Sequence, residues 1–244
     1  MIEIRNLRQT MEHSQLYHGL NLKVPDRQIT VILGKSGVGK SILLKHILGL
    51  QIPESGEILV EGTDITEMER HDRRDFRLMF GMVFQHSALL DSLTVADNVS
   101  LGMRKLTDYS ERRIRDRMIH CLEAVQLSHA AGLLPEQLSG GMRKRVAFAR
   151  AIAMKPKYLL YDEPTGGLDP VTGSMIGDLI IQFREDLDTT SLVVTHDVAL
   201  ALKIADVIAI LDDGLIQATL TRTEFRRSDN PLVRRFRESL ILNG

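Results

Sequence analysis

The chain has 244 residues, with 31 Lys+Arg against 32 Asp+Glu for a formal charge of −1, and is 43% hydrophobic. That length accommodates one large α/β domain or a core with an inserted subdomain, and the charge balance excludes a nucleic-acid protein held to phosphates by bulk charge. One cysteine, Cys121, excludes an intrachain disulfide; with no apolar run near the ~18 residues of a membrane span and no signal-peptide form in Met1-Ile2-Glu3-Ile4-Arg5, a soluble intracellular protein is expected, its membrane role, if any, reached through a partner.

From Glu3 to Val24 apolar and polar residues alternate, which predicts half-buried antiparallel strands, most clearly at Gly19-Leu20-Asn21-Leu22-Lys23-Val24. Ile29-Thr30-Val31-Ile32-Leu33 is a β-branched run that reads as a buried strand. From Lys40 the spacing turns helical through Leu43, Leu44, Ile47 and Leu48. A further strand pair is expected at 58–60 and 81–84, and a helix over 111–127, where Ile114, Met118, Cys121, Leu122 and Val125 share a face. A second helix is expected over about 142–154. The runs at 158–161, 191–195 and 207–211, separated by helical segments, predict parallel strands with crossover helices. Residues 87–155 interrupt this core with helical material. The expected plan is α/β: a nucleotide-binding core at 1–86 and 156–230, an N-terminal antiparallel β subdomain, an inserted helical subdomain at 87–155 and a tail at 231–244.

Gly34-Lys35-Ser36-Gly37-Val38-Gly39-Lys40-Ser41 fits G-x-x-x-x-G-K-[ST] between a strand and a helix, the context the motif requires. Its glycines let backbone N–H groups converge on phosphate oxygens, Lys40 supplies a point charge, and the Ser41 hydroxyl is a ligand for Mg²⁺. Tyr158-Leu159-Leu160-Tyr161-Asp162-Glu163 brings two carboxylates to a strand end: Asp162 to hold the metal, Glu163 to polarise an attacking water as general base. A third strand delivers His196 to the same edge, where it would meet the γ-phosphate or the water. Gln85 is a candidate for metal and water through its amide, although a glutamine alone is uninformative. Ser139-Gly140-Gly141 opens a helix as a capped terminus suited to an anion, which a chain with one phosphate loop does not need for itself.

Taken in order, these residues resemble the ATP-binding cassette family over essentially the whole chain. The resemblance implies that Gly34–Ser41 is the Walker A loop, Tyr158–Asp162 Walker B, Glu163 the catalytic glutamate and Gln85 the Q-loop. It likewise makes Leu138–Met142 the signature, Gly167-Leu168-Asp169 the D-loop and His196 the switch histidine. It further implies a P-loop NTPase fold, ATP and Mg²⁺, and a head-to-tail homodimer with each ATP between one chain's Walker A loop and the other's signature. Met142 in place of the usual Gln, the run Gln85–Val95 and the run Glu163–Thr172 are similar to the ATPases of Mla/Mce-type lipid transport systems. That likeness implies an integral membrane permease, an Mce-domain substrate-binding protein, and a place on the cytoplasmic side of the inner membrane. Cassettes for another cargo, such as an amino acid or ion, share the same motifs. A soluble cassette protein of translation or repair would need more chain, and a P-loop kinase would lack Leu138–Met142. Two departures stand out. Met11 occupies the place of an adenine-stacking aromatic, with Tyr17 assigned to the next strand, and Gly167 replaces a commoner Ala. The tail carries six arginines and two acids between Arg222 and Arg237. Leu232, Val233, Phe236 and Leu240 fall at near-helical spacing, predicting an amphipathic helix that packs on its own domain, on anionic lipid or on a second ATPase.

Overall fold

The computed structural model of the chain describes residues 1–11, 14–69 and 71–242; residues 12 and 13, within the stretch read as antiparallel strands, and 243–244 of the tail lie outside it, as do the side chains of 14 and 239–242, Leu240 among them. β1 (Ile2–Met11) and β2 (Ser14–Val24) pair antiparallel. Alternation places Ile2 and Ile4 in the core, and an irregularity between Ile4 and Leu7, with Asn6 at φ 47°, resets it so that Leu7 is buried while Arg5 and Arg8 face solvent. β3 (Ile29–Leu33) is buried at every residue and leads through residues 34–39 into α1 (Lys40–Ile47). β4 (Ser55–Val60) and β5 (Thr63–Asp64) complete a four-stranded sheet in the order β2-β1-β4-β5. α2 (Asp72–Arg77) and β6 (Phe80–Val83) follow, then α3 (Val95–Leu106), α4 (Glu111–Ala124) and α5 (Gly140–Ile152). β7 (Tyr158–Asp162), α6 (Pro170–Leu187), β8 (Thr190–Thr195), α7 (Val198–Ile204) and β9 (Val207–Asp212) alternate regularly. β10 (Leu215–Thr221), α8 (Arg222–Arg227) and α9 (Pro231–Leu242) close the chain.

The second sheet has six strands in the order β10-β9-β3-β8-β7-β6, parallel from β9 to β6, with β10 antiparallel at the edge. Both of its faces are covered, which is why its strands read as continuous apolar runs. In β7, Leu159 and Tyr161 point to a core shared with the helices α3 to α7, whereas Tyr158 and Leu160 point to a core shared with α1 and the antiparallel sheet. The fold class read from the sequence is the one observed.

Some local expectations change. Residues 58–60 and 81–84 do not pair with each other: β4 takes the free edge of β1 (Ile2 opposite Val60), and β6 runs parallel to β7 (Gly81 opposite Leu159). Gly81 fixes that placement, because a Cβ there would collide with the Ala151 carbonyl oxygen of α5. β6 ends at Val83, one residue before the expected Phe84, which is exposed. α5 starts at Gly140 because the Ser139 hydroxyl accepts from Met142 N. α4 ends at Ala124, short of 127.

The tail helix packs on its own domain. Val233 and Phe236 sit in the core beside Phe225 of α8, and Arg237 donates to the carbonyls of Arg226 (2.5 Å) and Phe225 (3.5 Å). Arg226, Arg227, Arg234 and Arg235 face solvent. Phe236→Ala is expected to lower the unfolding free energy by about 3 kcal/mol, the low end for a buried phenylalanine, measured by urea denaturation.

Candidate active site

β3, β7 and β8 end at one edge of the parallel sheet, and the loops leaving them build one cleft, as open α/β sheets do at the carboxyl ends of their strands. The loop from Gly34 to Gly39 turns back on itself through Gly37 (φ 82°) and Gly39 (φ 101°), a region that L side chains rarely adopt. Gly39 is also hemmed in: an added Cβ would lie 2.9 Å from the Tyr17 hydroxyl and 3.0 Å from Leu16. No side chain caps the start of α1, so its first N–H groups are left for an anion. Lys40 is buried, and its ammonium donates to the carbonyls of Gly34 (2.8 Å) and Lys35 (2.9 Å), winding the loop around itself.

Opposite the loop stands the acidic pair. Asp162, at the end of β7, accepts from the Ser41 hydroxyl at 2.8 Å. Burial pushes the Asp162 carboxyl above its ordinary range; the Ser41 hydrogen bond works against that, and the neighbouring Glu163 charge adds to it. Glu163 is buried with a left-handed backbone, φ 44°. One carboxylate oxygen lies 3.2 Å from Lys40 Nζ; the other accepts from Thr195 Oγ1 (2.9 Å), His196 N (3.3 Å) and His196 Nδ1 (3.0 Å). Burial raises the Glu163 pKa, but the His196 hydrogen bond, the Lys40 charge and the Thr195 hydroxyl outweigh it, and the net shift is downward. Glu163 is therefore ionised and ready to accept a proton.

The resulting cleft has a volume of about 330 Å³ and is lined by Ser36, Gly37, Gly39, Lys40, Ser41, Gln85, Glu163 and His196, with Met11, Leu16 and Ile42 as an apolar wall. Gly34, Lys35 and Val38 shape the same loop, and Asp162 reaches it through Ser41. Tyr17 does not line the cleft. It is fully buried on β2, with its hydroxyl donating to the Gly39 carbonyl at 2.6 Å. Ser41, Asp162 and Gln85 offer hydroxyl, carboxylate and amide oxygen, a donor set that fits a hard divalent ion. Among the described residues no three His, Cys, Asp or Glu cluster around a metal position. An ion here would thus take few ligands from protein and the rest from phosphate and water, the habit of Mg²⁺.

Ser139, Gly140 and Gly141 lie elsewhere. With Gly167, Leu168 and Asp169 they line a second cleft of about 310 Å³. Asp169 caps α6, accepting from Val171 N (3.1 Å), Thr172 N (3.0 Å) and the Thr172 hydroxyl (2.6 Å), and the Thr172 contacts hold its carboxyl below the ordinary range. Gly141 is needed where α5 meets α6, since a Cβ would sit 2.8 Å from Thr172 Cγ2. The expected residues are thus divided between two clefts on one chain.

The motifs do not disclose Thr195, Lys144 or Leu16. Lys144 is buried on α5, donating to the main-chain oxygens of Gln85 (2.5 Å) and Glu163 (3.3 Å). A signal for it exists: position 144 shares a helix face with Ala147, Phe148 and Ala151, all buried.

The sequence profile of the ABC transporter family matches residues 17–166. The chain is 41% identical over 236 residues to the intermembrane phospholipid transport system ATP-binding protein MlaF of Haemophilus influenzae, covering 97% of this chain and 89% of that protein. It is 37% identical over 243 residues to the probable ribonucleotide transport ATP-binding protein mkl of Mycobacterium leprae, covering 100% of this chain and 69% of that one. Among solved structures, the dimeric post-hydrolysis ATP-binding cassette MJ0796 bound to ADP and Pi superposes with a TM-score of 0.83 at 31% identity, covering 91% of this chain and 99% of that one.

Gly39→Ala places a Cβ against Tyr17 and Leu16 on a backbone that disfavours it. At least a tenfold rise in the Kd for ATP is expected, read by equilibrium binding, with the circular dichroism spectrum unchanged.

Proposed function

The chain belongs to the ABC transporter family as one of its ATP-hydrolysing cassettes, and on that premise we propose that it drives phospholipid or related lipid transport through a separate membrane permease. The observation that carries the lipid reading is the likeness to MlaF along 97% of the chain. A cassette for another cargo is the second reading, favoured by the likeness to a relative named for ribonucleotide transport.

In this reading the phosphate loop and Lys40 hold the β- and γ-phosphates. Ser41, Asp162 and Gln85 hold Mg²⁺, which, when bound, offsets negative charge on the phosphate oxygens. Glu163 accepts a proton from the attacking water as the water oxygen bonds to the γ-phosphorus and the bond to the ADP oxygen breaks. His196 and Thr195 keep Glu163 ionised and aimed. The γ-phosphate competes with Glu163 for Lys40, so nucleotide binding frees one oxygen of the base. Met11 and Leu16 give the base an apolar wall instead of an aromatic platform.

The cleft at Ser139–Gly141 closes over the ATP of a second copy in a head-to-tail homodimer, with Asp169 at the seam. Exposed Val171 and Met175 flank that cleft. Residues 87–155, which carry α3 to α5, act as the helical subdomain between a core at 1–86 and 156–230. The permease docks beside Gln85–Val95. There Arg150 holds the carbonyls of Ser87 (2.7 Å) and Ala88 (2.5 Å), and an apolar cleft of about 360 Å³ opens among Val99, Leu101, Leu106 and Met154. Leu90 is exposed at 46%, whereas Leu89 packs against the core, so Leu90 is the docking residue of the two. Among the described residues no helix is long and apolar enough to cross a membrane. The likeness to MlaF supports a place on the cytoplasmic side of the inner membrane, reached through the permease, in a complex that includes an Mce-domain substrate-binding protein.

The decisive experiment is reconstitution with the cognate permease in vesicles. ATP-dependent transfer of labelled phospholipid supports the lipid reading; ATP-dependent movement of a ribonucleotide, and not of lipid, overturns it. Glu163→Gln is expected to slow hydrolysis by about 10²–10⁴, the range for a lost general base, while ATP stays bound and the dimer persists on size exclusion. Lys40→Ala loses ATP binding itself. Without an aromatic platform, competition binding should show ATP and GTP within about tenfold of each other, since base stacking of ~1–3 kcal/mol is missing. Leu90→Glu is expected to abolish co-purification with the permease and leave ATP binding intact.

A further inference from the structure

Between the two clefts runs a single helix, α5, and one of its side chains reaches the catalytic cleft from behind. Lys144 lies one turn after Gly140–Gly141, is 4% exposed, and places its ammonium against the carbonyl oxygens of Gln85 and Glu163. Both recipients are under constraint. Glu163 holds a left-handed backbone: its N–H donates to Val194 O (2.9 Å), and its carbonyl accepts from Gly166 N (3.1 Å) as well as from Lys144. Two residues beyond Gln85, Ser87 (φ 61°) and Ala88 (φ 48°) are left-handed too, and Arg150, a turn and a half further along α5, holds their carbonyls. Conformations of this kind persist only where the surroundings over-determine them.

A buried ammonium is costly unless its donors are used. Here the two carbonyls use two of its three N–H groups, and the nearby Asp162 and Glu163 carboxylates offset part of the cost. Further along the same helix face Ala147, Phe148 and Ala151 are apolar and buried, and methionine would fit the volume of Lys144 without the charge. The lysine therefore does something packing does not require.

We propose that Lys144 is a positioning residue: through the Gln85 and Glu163 main-chain oxygens it fixes the metal-side glutamine and the general base relative to each other and to the signature end of α5. This rests on the reading of Glu163 as the base. It predicts that Lys144 matters to turnover and not to nucleotide affinity, because none of its contacts is to the phosphate loop.

The test uses the full chain with Lys144→Met, which keeps stem and volume and removes both donors. ATP affinity is measured by equilibrium binding, kcat and KM by steady-state hydrolysis, and folding by thermal melting, with Glu163→Gln alongside. The expected result is a kcat lowered about 10–100-fold, the usual effect of removing an outer-shell partner, with the Kd for ATP within threefold of native. A kcat within twofold of native overturns the proposal, and so does a parallel loss of kcat and ATP affinity with a lowered melting temperature, which marks a structural role. If Lys144→Met does not fold, Lys144→Gln, too short to span both carbonyls, is judged by the same criteria. An active Glu163→Gln would instead remove the base assignment on which this proposal stands. An inactive Glu163→Gln beside a fully active Lys144→Met removes only the role of Lys144.

Discussion

Glu163 is a carboxylate almost sealed from water, on a backbone conformation that a residue with a Cβ disfavours, and it stays ionised because an ammonium, a hydroxyl, an amide and an imidazole converge on it. The donors arrive on two separate parts of the chain and the acceptor on a third. Lys40 comes with the loop after β3, Thr195 and His196 with the end of β8, and the glutamate itself with the end of β7. The strand order that sets β3, β8 and β7 side by side is therefore the arrangement that makes a buried anion tolerable. Slipping any of these strands by one residue would turn the donor away and leave the charge uncompensated.

The same demand for a partner governs the helix starts. α5 and α6 begin at Ser139 and Asp169, whose side chains cap their own helices, whereas α1 begins at Gly39 with no side-chain cap. A side chain at Gly39 would strike Tyr17 and Leu16. The start of α1 thus differs from those of α5 and α6, although all three look glycine-rich in sequence.

Much of this is legible in the order of residues alone. The parallel strands announce themselves because burial on both faces leaves unbroken runs such as Tyr158–Tyr161. The G-x-x-x-x-G-K-[ST] loop stands out because its glycines sit between a strand and a helix. What stays hidden depends on which segments meet. Residues 58–60 and 81–84 are both short apolar runs, and nothing in either run says that β4 completes β1 while Gly81 lets β6 slide beneath α5. Thr195 reads as one more strand residue until Glu163 is seen turning toward it. Lys144 reads as part of a basic cluster, Arg143-Lys144-Arg145, until the helix face it shares with Phe148 is followed inward. The tail is a case of choice among surfaces: its amphipathic spacing is visible, and the structure seats it on α7 and α8 of its own chain.

The Tyr17 hydroxyl on the Gly39 carbonyl has a consequence for how this chain can be divided. The antiparallel sheet looks like a separable lobe, built from its own hairpin and its own register. Yet the closing glycine of the phosphate loop rests on a phenol 22 positions upstream in that sheet, and Leu16 beside it forms part of the cleft wall. A fragment starting at β3 would keep every residue of the G-x-x-x-x-G-K-[ST] motif and lose the surface that gives the motif its shape. The smallest unit able to grip a nucleotide is therefore larger than the motif and its sheet: it includes the lobe that the connectivity alone would assign to something else.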